Sequence, residues 1–125
     1  MSLIYEDLTE RILAACMEVH NQLGCGLLEA VYAEALAQEL RERAIPFTRE
    51  KEFPVVYKGL RLSKMYKVDF VCFDKIILEL KATDKILPVY ASQVLNYLKL
   101  SNLKLGFVIN FGERSLCWER IANLY

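Results

Sequence analysis

The chain carries no net charge, because sixteen Lys and Arg residues balance sixteen Asp and Glu. A uniformly basic coat of the kind that packs nucleic acid non-specifically is excluded, although a local basic groove is not. No apolar run is long enough to span a bilayer, and nothing resembles a secretory leader. No membrane partner and a cytoplasmic location are therefore expected. Histidine occurs once, and the four cysteines Cys16, Cys25, Cys72 and Cys117 fall at no zinc-knuckle spacing, which argues against a structural zinc site. In a reducing compartment, Cys16 and Cys72 read as small core residues. Repeats, low-complexity stretches and linkers are missing too, so one domain over residues 1–125 is expected. What is abundant is apolar: 54% hydrophobic residues against 26% charged ones, a globular balance that excludes a disordered chain.

Glu6 to Leu23 reads as a first helix, with Leu8, Ile12, Ala15, Cys16, Val19 and Leu23 on its apolar face. Gly24-Cys25-Gly26 ends it. Leu27 to Arg43 reads as a second helix, buried through Leu28, Val31, Tyr32, Ala35, Leu36 and Leu40. Phe47 to Tyr57 reads as a strand that Pro54 marks as an edge or a bulge, and Lys58-Gly59 is a turn signal. Leu60 to Met65 reads as a short polar continuation. Ile86 to Leu100 predicts a third helix with Pro88 in its first turn and Val89, Val94, Leu95 and Leu98 inward. Leu105 to Asn110 and Ser115 to Ile121 complete the set as strands. The order is α-α-β-β-β-α-β-β, an α/β chain whose third helix suits a crossover to a parallel strand. A mixed sheet flanked by helices is expected.

The chemistry concentrates in Tyr66 to Lys81, two apolar strands around a polar turn at Asp74-Lys75. Asp69 stands in the first strand; Glu79 and Lys81 stand in the second. A lone buried charge costs several kcal/mol, so charges in such a setting call for partners. Asp69 and Glu79 supply two hard oxygen donors for magnesium or manganese, the carbonyl of Leu80 can supply a third, and Glu29 can add another, directly or through water. Lys81, two residues beyond Glu79, shares its face and can orient water or stabilise developing charge. Taken singly, each charge also reads as an ion pair or a strand end. Glu29 either complements the dipole of the second helix or projects toward these carboxylates. The run Lys58, Arg61, Lys64, Lys67 is either a solvated hairpin edge or a phosphate contact.

Register sets a condition on this site. A two-residue turn would pair Phe73 with Ile76 and put Asp69 on the face away from Glu79 and Lys81. The acids converge only with an odd loop, such as Phe73-Asp74-Lys75, or with a bulge.

With these residues in hand, the sequence resembles the GxxExxY family, a branch of the PD-(D/E)XK nuclease superfamily. The name-giving motif reads Gly26-Leu27-Leu28-Glu29-Ala30-Val31-Tyr32. Further matches are Tyr66 to Asp69, Ile77 to Lys81, Gln93 to Leu98 and Gly106 to Gly112. Cys25 stands where a proline is common in the pattern, and Lys67 where an arginine is.

The resemblance implies a restriction-endonuclease-like α-β-β-β-α-β core. It implies divalent metal held by Asp69 and Glu79, catalytic help from Lys81, an acidic Glu29 on the first core helix, and Gln93 positioning water or substrate. Tyr32 and Tyr97 would pack and form hydrogen bonds nearby. His20, of the family-like Val-His pair, reads either as a hydrogen-bonded core residue or as a functional one, the former being favoured. The expected activity is a magnesium- or manganese-dependent nuclease-like phosphodiesterase acting on DNA or RNA. The alternative is a catalytically silent nuclease-fold module that binds nucleic acid or protein. An exposed strand edge also leaves a homodimer open.

Overall fold

The computed structural model describes residues 3–124. Helices α1 (Glu6–Leu23) and α2 (Glu29–Glu42) precede strands β1 (Phe47–Tyr57), β2 (Leu60–Cys72) and β3 (Ile76–Lys81). Helix α3 (Pro88–Ser101) then leads to β4 (Leu105–Asn110) and β5 (Cys117–Ala122). The five strands lie in chain order in one sheet, with β3 and β4 parallel and every other neighbour antiparallel. This is the expected mixed α/β sheet with flanking helices.

Alternation in the strands builds two cores. Ile76, Leu78 and Leu80 of β3 and Leu105, Phe107 and Ile109 of β4 face α1 and α2. Ile77 and Val108 face Val94 and Leu98 of α3. A strand buried on both faces tolerates few charges, and burying each large apolar side chain contributes about 1.5–3 kcal/mol. Helix α3 packs closely because β4 has Gly106 beneath it. A β-carbon there would stand 2.7 Å from Val94 Cγ1.

The helix faces are narrower than periodicity suggests. Helix α2 starts at Glu29 rather than Leu27, and only Tyr32, Leu36, Ala37 and Leu40 are buried. Leu28 is the N-cap at 75% exposure, and Val31 also faces solvent. Val89, expected inside α3, is exposed because it lies in the first turn, ahead of the Val94–Leu98 stripe that meets the sheet. Leu60 to Met65 is part of one thirteen-residue strand, not a separate continuation. The last strand starts at Cys117, because the preceding turn extends to Leu116.

Beyond the end of β3, the chain is fixed by a side chain. Asn110 is fully buried. Its Oδ1 accepts from the backbone N–H of Thr83 (3.0 Å) and of Gly112 (3.1 Å). Its Nδ2 donates to the Thr83 carbonyl (3.0 Å) and to Glu113 Oε2 (2.8 Å). All four hydrogen-bonding valences of the amide are used, so this buried polar group is satisfied. The Phe111 N–H meanwhile donates to the Lys81 carbonyl at 2.8 Å.

Candidate active site

The β2–β3 loop decides the register. Cys72 pairs with Ile76, Val71 with Ile77 and Phe70 with Leu78, leaving a three-residue loop, Phe73-Asp74-Lys75. Phe73 and Asp74 both take left-handed angles, φ 57° and 56°, and the Lys75 N–H closes the turn on the Cys72 carbonyl. The odd length carries the register on so that Asp69 stands opposite Glu79. There the ladder stops and the acids take over its hydrogen bonds. Glu79 Oε1 accepts from the Asp69 N–H at 3.0 Å, and Asp69 Oδ2 accepts from the Leu80 N–H at 2.7 Å. Each carboxylate thus spends one oxygen on the facing backbone and keeps the other.

β1 adds a bend at the same level. Glu50 has φ 51° inside a strand, a conformation that costs a non-glycine residue about 1–3 kcal/mol. The regular pairing Arg49–Phe70 and Lys51–Val68 brackets the kink. Across it the sheet face changes. Val68 packs on the α3 side, and Phe70 on the α1–α2 side, although they are two residues apart. Asp69 sits at this crossover. A cavity of 330 Å³ opens there, lined by Glu29, Ala30, Ala33, Arg49, Glu50 and Asp69. A larger recess of 810 Å³ lies beyond Arg49 against Arg41, Ile45 and Phe47, and it holds no acid or nucleophile.

The carboxylates feel each other. Burial, then the charge of Asp69, pushes the Glu79 carboxyl up to about 7. Asp69 is raised by burial, against the Leu80 N–H and the charges of Lys81 and Arg49. Glu29 is raised by burial and by Asp69, and lowered by Lys81. Glu29, first residue of α2, lines the same cavity as Asp69. Lys81 forms no ion pair within 4 Å; among the described residues the only such pair is Arg43–Glu39. Its Nζ lies 4.5 Å from the centroid of Tyr90 on α3. Gln93 is one turn beyond Tyr90 and one turn before Tyr97, exposed on the same helix face. Burial raises the Tyr97 hydroxyl, with Glu79 and Asp69 adding to the effect.

Not every expected residue converges equally. Among the described residues no group of three His, Cys, Asp or Glu side chains is gathered closely enough to hold an ion. Asp69 and Glu79 are brought together across the strands; Glu29 approaches from α2 as a third wall. Arg49 and Glu50 were not singled out by the sequence, where alternating charges in β1 look like a solvated edge. Tyr90 was not singled out either.

Two motif residues prove to be structural. Tyr32 is fully buried and stacks on Phe111 at 4.8 Å. Its hydroxyl donates to the Gly24 carbonyl (2.6 Å) and accepts from the Leu27 N–H (3.2 Å), clasping the segment that launches α2 at Glu29. Tyr32→Phe should keep the stack but leave both backbone groups unpaired. The expected cost is about 1 kcal/mol, read as a Tm lower by about 4 °C. An unchanged Tm would mean that water serves the clasp equally well. His20 is 6% exposed, and its Nε2 donates to the Glu113 carbonyl at 2.9 Å, the core role favoured for it.

Comparison with known proteins bears on the fold and the family. No curated protein matches this sequence. Among solved structures, the crystal structure of SSO0001 superposes with TM-score 0.58 at 18% identity, over 95% of this chain and 59% of that one. The chain therefore spans little more than half the length of that protein. An alkaline exonuclease (LHK-Exo) from Laribacter hongkongensis superposes with TM-score 0.55 at 11% identity, over 98% of this chain and 72% of that one. At these identities the likeness concerns the fold. The sequence model of the PD-(D/E)XK nuclease superfamily matches residues 6–121, a span that holds Glu29, Asp69, Glu79 and Lys81. By that match the chain belongs to the PD-(D/E)XK nuclease superfamily.

Proposed function

We propose that this protein is a divalent-metal-dependent nuclease of the GxxExxY branch, hydrolysing phosphodiesters of nucleic acid with Asp69, Glu79 and Lys81 at its centre. The observation that carries this reading is the exchange across β2 and β3. Asp69 and Glu79 each hold the other strand's backbone with one oxygen and leave one oxygen over. The donor set is chemically suited to Mg2+ or Mn2+, hard ions that take oxygen ligands and keep several waters. The raised proton affinity of Glu79 fits as well, since burial first and the charge of Asp69 second disfavour its anion, and a cation would offset both. The Leu80 carbonyl adds a third oxygen. Its N–H points to β2, so its carbonyl points to the same edge, beyond the last β2–β3 pair.

When bound, such an ion would lower the pKa of a coordinated water and offset charge on the phosphate. Lys81, with no carboxylate among the described residues within 4 Å, would donate hydrogen bonds to the attacking water or to a non-bridging phosphate oxygen. The Tyr90 ring lies 4.5 Å from its Nζ, a cation–π contact that would help hold it there. Glu29 would orient water on the α2 side, and Gln93 would do so from α3. Arg49, beside Asp69 on the cavity wall, would pair with a phosphate oxygen.

A second reading, a silent module that keeps the fold for binding, draws on the missing three-acid cluster among the described residues. Calorimetric titration with Mn2+ and Mg2+ decides between them, run beside cleavage assays on single- and double-stranded DNA and RNA. The wild type is expected to bind the ion and cleave, the Asp69→Ala/Glu79→Ala double variant to do neither. Lys81→Met is expected to bind the ion with turnover lower by about 100-fold or more. A wild type that binds no ion would remove the nuclease reading and leave the binding module.

A further inference from the structure

The two longest strands continue past the sheet. β2 pairs with β3 only from Phe70 to Cys72, yet it runs back to Leu60 beside β1. The outer part of this hairpin is therefore a two-stranded arm. It closes at Lys58-Gly59, where φ is 50° and 77°, the left-handed pair that suits a tight hairpin. A register shift between Pro54 and Val56 re-aims its outer portion.

From Lys58 to Lys67 the turn and β2 half of the arm carry four basic residues and no acid, in a chain whose total charge is zero, and the one acid on the facing stretch is Glu52, opposite Lys67. Lys58, Arg61, Lys64 and Lys67 are exposed, and none has a carboxylate of the described residues within 4 Å. Tyr57 and Leu60 pair at the tip and are 60% and 67% exposed. A solvated edge guarded against aggregation would not leave these two in water.

We infer that this arm is a docking element for double-stranded DNA, lying in the major groove and leading the backbone toward Asp69. The inference rests on the nuclease reading for its purpose but not for its binding chemistry. Charge complementarity favours a polyanion. The four cations are strung along β2 and its turn, from Lys58 at the tip to Lys67 two residues before Asp69, which suits a polyanion running along the arm. The B-form major groove is about 12 Å wide and admits a two-stranded ribbon. The A-form RNA groove is too narrow for one. Apolar Tyr57 and Leu60 can meet thymine methyl groups and base edges there. Arg61 precedes Asp69 by eight residues, roughly 26 Å of extended strand, or about eight base pairs of duplex.

The test uses the full chain without divalent metal, in EDTA. Fluorescence anisotropy would follow a labelled 20-base-pair DNA duplex, its single strand, and an RNA duplex of the same sequence across a salt series. The wild type is expected to prefer the DNA duplex. In a Lys58→Gln/Arg61→Gln/Lys64→Gln/Lys67→Gln variant, duplex affinity should fall at least tenfold at 0.1 M salt. The slope of log affinity against log salt should become shallower by about 3–4, near one for each phosphate no longer neutralised. All four residues are exposed, and circular dichroism should show the fold intact. Unchanged duplex affinity in the variant would overturn the arm's role. So would equal wild-type affinity for duplex and single strand, or a self-association that the variant loses while its DNA affinity stays the same. Mn2+ titration of the wild type reports separately on the acids, so loss of the nuclease reading and loss of the arm give different results.

Discussion

Glu79→Gln should make the metal-free protein more stable and catalytically dead. The amide keeps an oxygen for the Asp69 N–H, so the bridge between the strands survives. What disappears is a charge that the fold disfavours. In the folded chain the Glu79 carboxyl holds its proton up to about 7, against an ordinary 4.5. The sign follows from the raised value. Below pH 4.5 the group is protonated in both states and costs nothing. Between there and about 7 the folded state binds more proton than the unfolded one, so stability falls as pH rises. Above that interval the penalty is complete, on the order of 3 kcal/mol at most. Urea unfolding of wild type and variant in EDTA should therefore diverge by about 2 kcal/mol at pH 8 and converge near pH 4. Cleavage should fall by about 1000-fold in the variant, since a neutral amide neither attracts a divalent ion nor offsets its charge. A variant less stable than wild type at pH 8 would mean that Glu79 stabilises the fold as a carboxylate, which contradicts this account.

Gly112→Ala should be the most damaging single methyl in the chain. A β-carbon at Gly112 would stand inside the van der Waals radius of the Thr83 and Ala82 backbone. Those residues follow Lys81 directly, and they are pinned by the Asn110 amide. Neither stretch of backbone has a side-chain torsion with which to yield. Relieving the clash means breaking the Asn110 network, whose valences are all used, or displacing the end of β3. Loss of about 3 kcal/mol or more is expected. Gly106→Ala makes the contrast. There the obstacle is Val94 Cγ1, the end of a side chain, and a shift of α3 by a few tenths of an ångström relieves part of it. Denaturation midpoints should rank wild type, Gly106→Ala, Gly112→Ala in descending order. A Gly112→Ala variant within about 0.5 kcal/mol of wild type would show that the 82–83 segment is free to move.

Much of this was legible in the sequence, for reasons that differ by element. The bounds of α1 follow from apolar spacing and the glycines after Leu23, and they match the helix as observed. The odd loop was required by the chemistry of Asp69 and Glu79, and Phe73-Asp74-Lys75 supplies it. Periodicity failed where a helix end overhangs the core. Leu28, Val31 and Val89 are spaced like core residues, but they stay exposed. The pattern records which residues share a helix face, not how far the facing sheet extends. Arg49 and Glu50 escaped for a different reason. Their meaning depends on a left-handed backbone at Glu50 that turns β1 at the level of Asp69. The Asn110 network joins residues 27 positions apart, and its signal in the sequence was only the glycine after Phe111.

The three-residue loop between β2 and β3 has a consequence for descent. Two of its residues must take left-handed angles, as Phe73 and Asp74 do, and Phe73 also packs on the core beneath Arg11. Its length cannot drift by one. Deleting or inserting a single codon there would move Asp69 to the other face from Glu79, or else force the apolar set of β2 out of register with β3. Substitution and insertion are thus judged by different tests at one short stretch. In this hairpin, a change in the number of residues should cost the site more than a change in their identity.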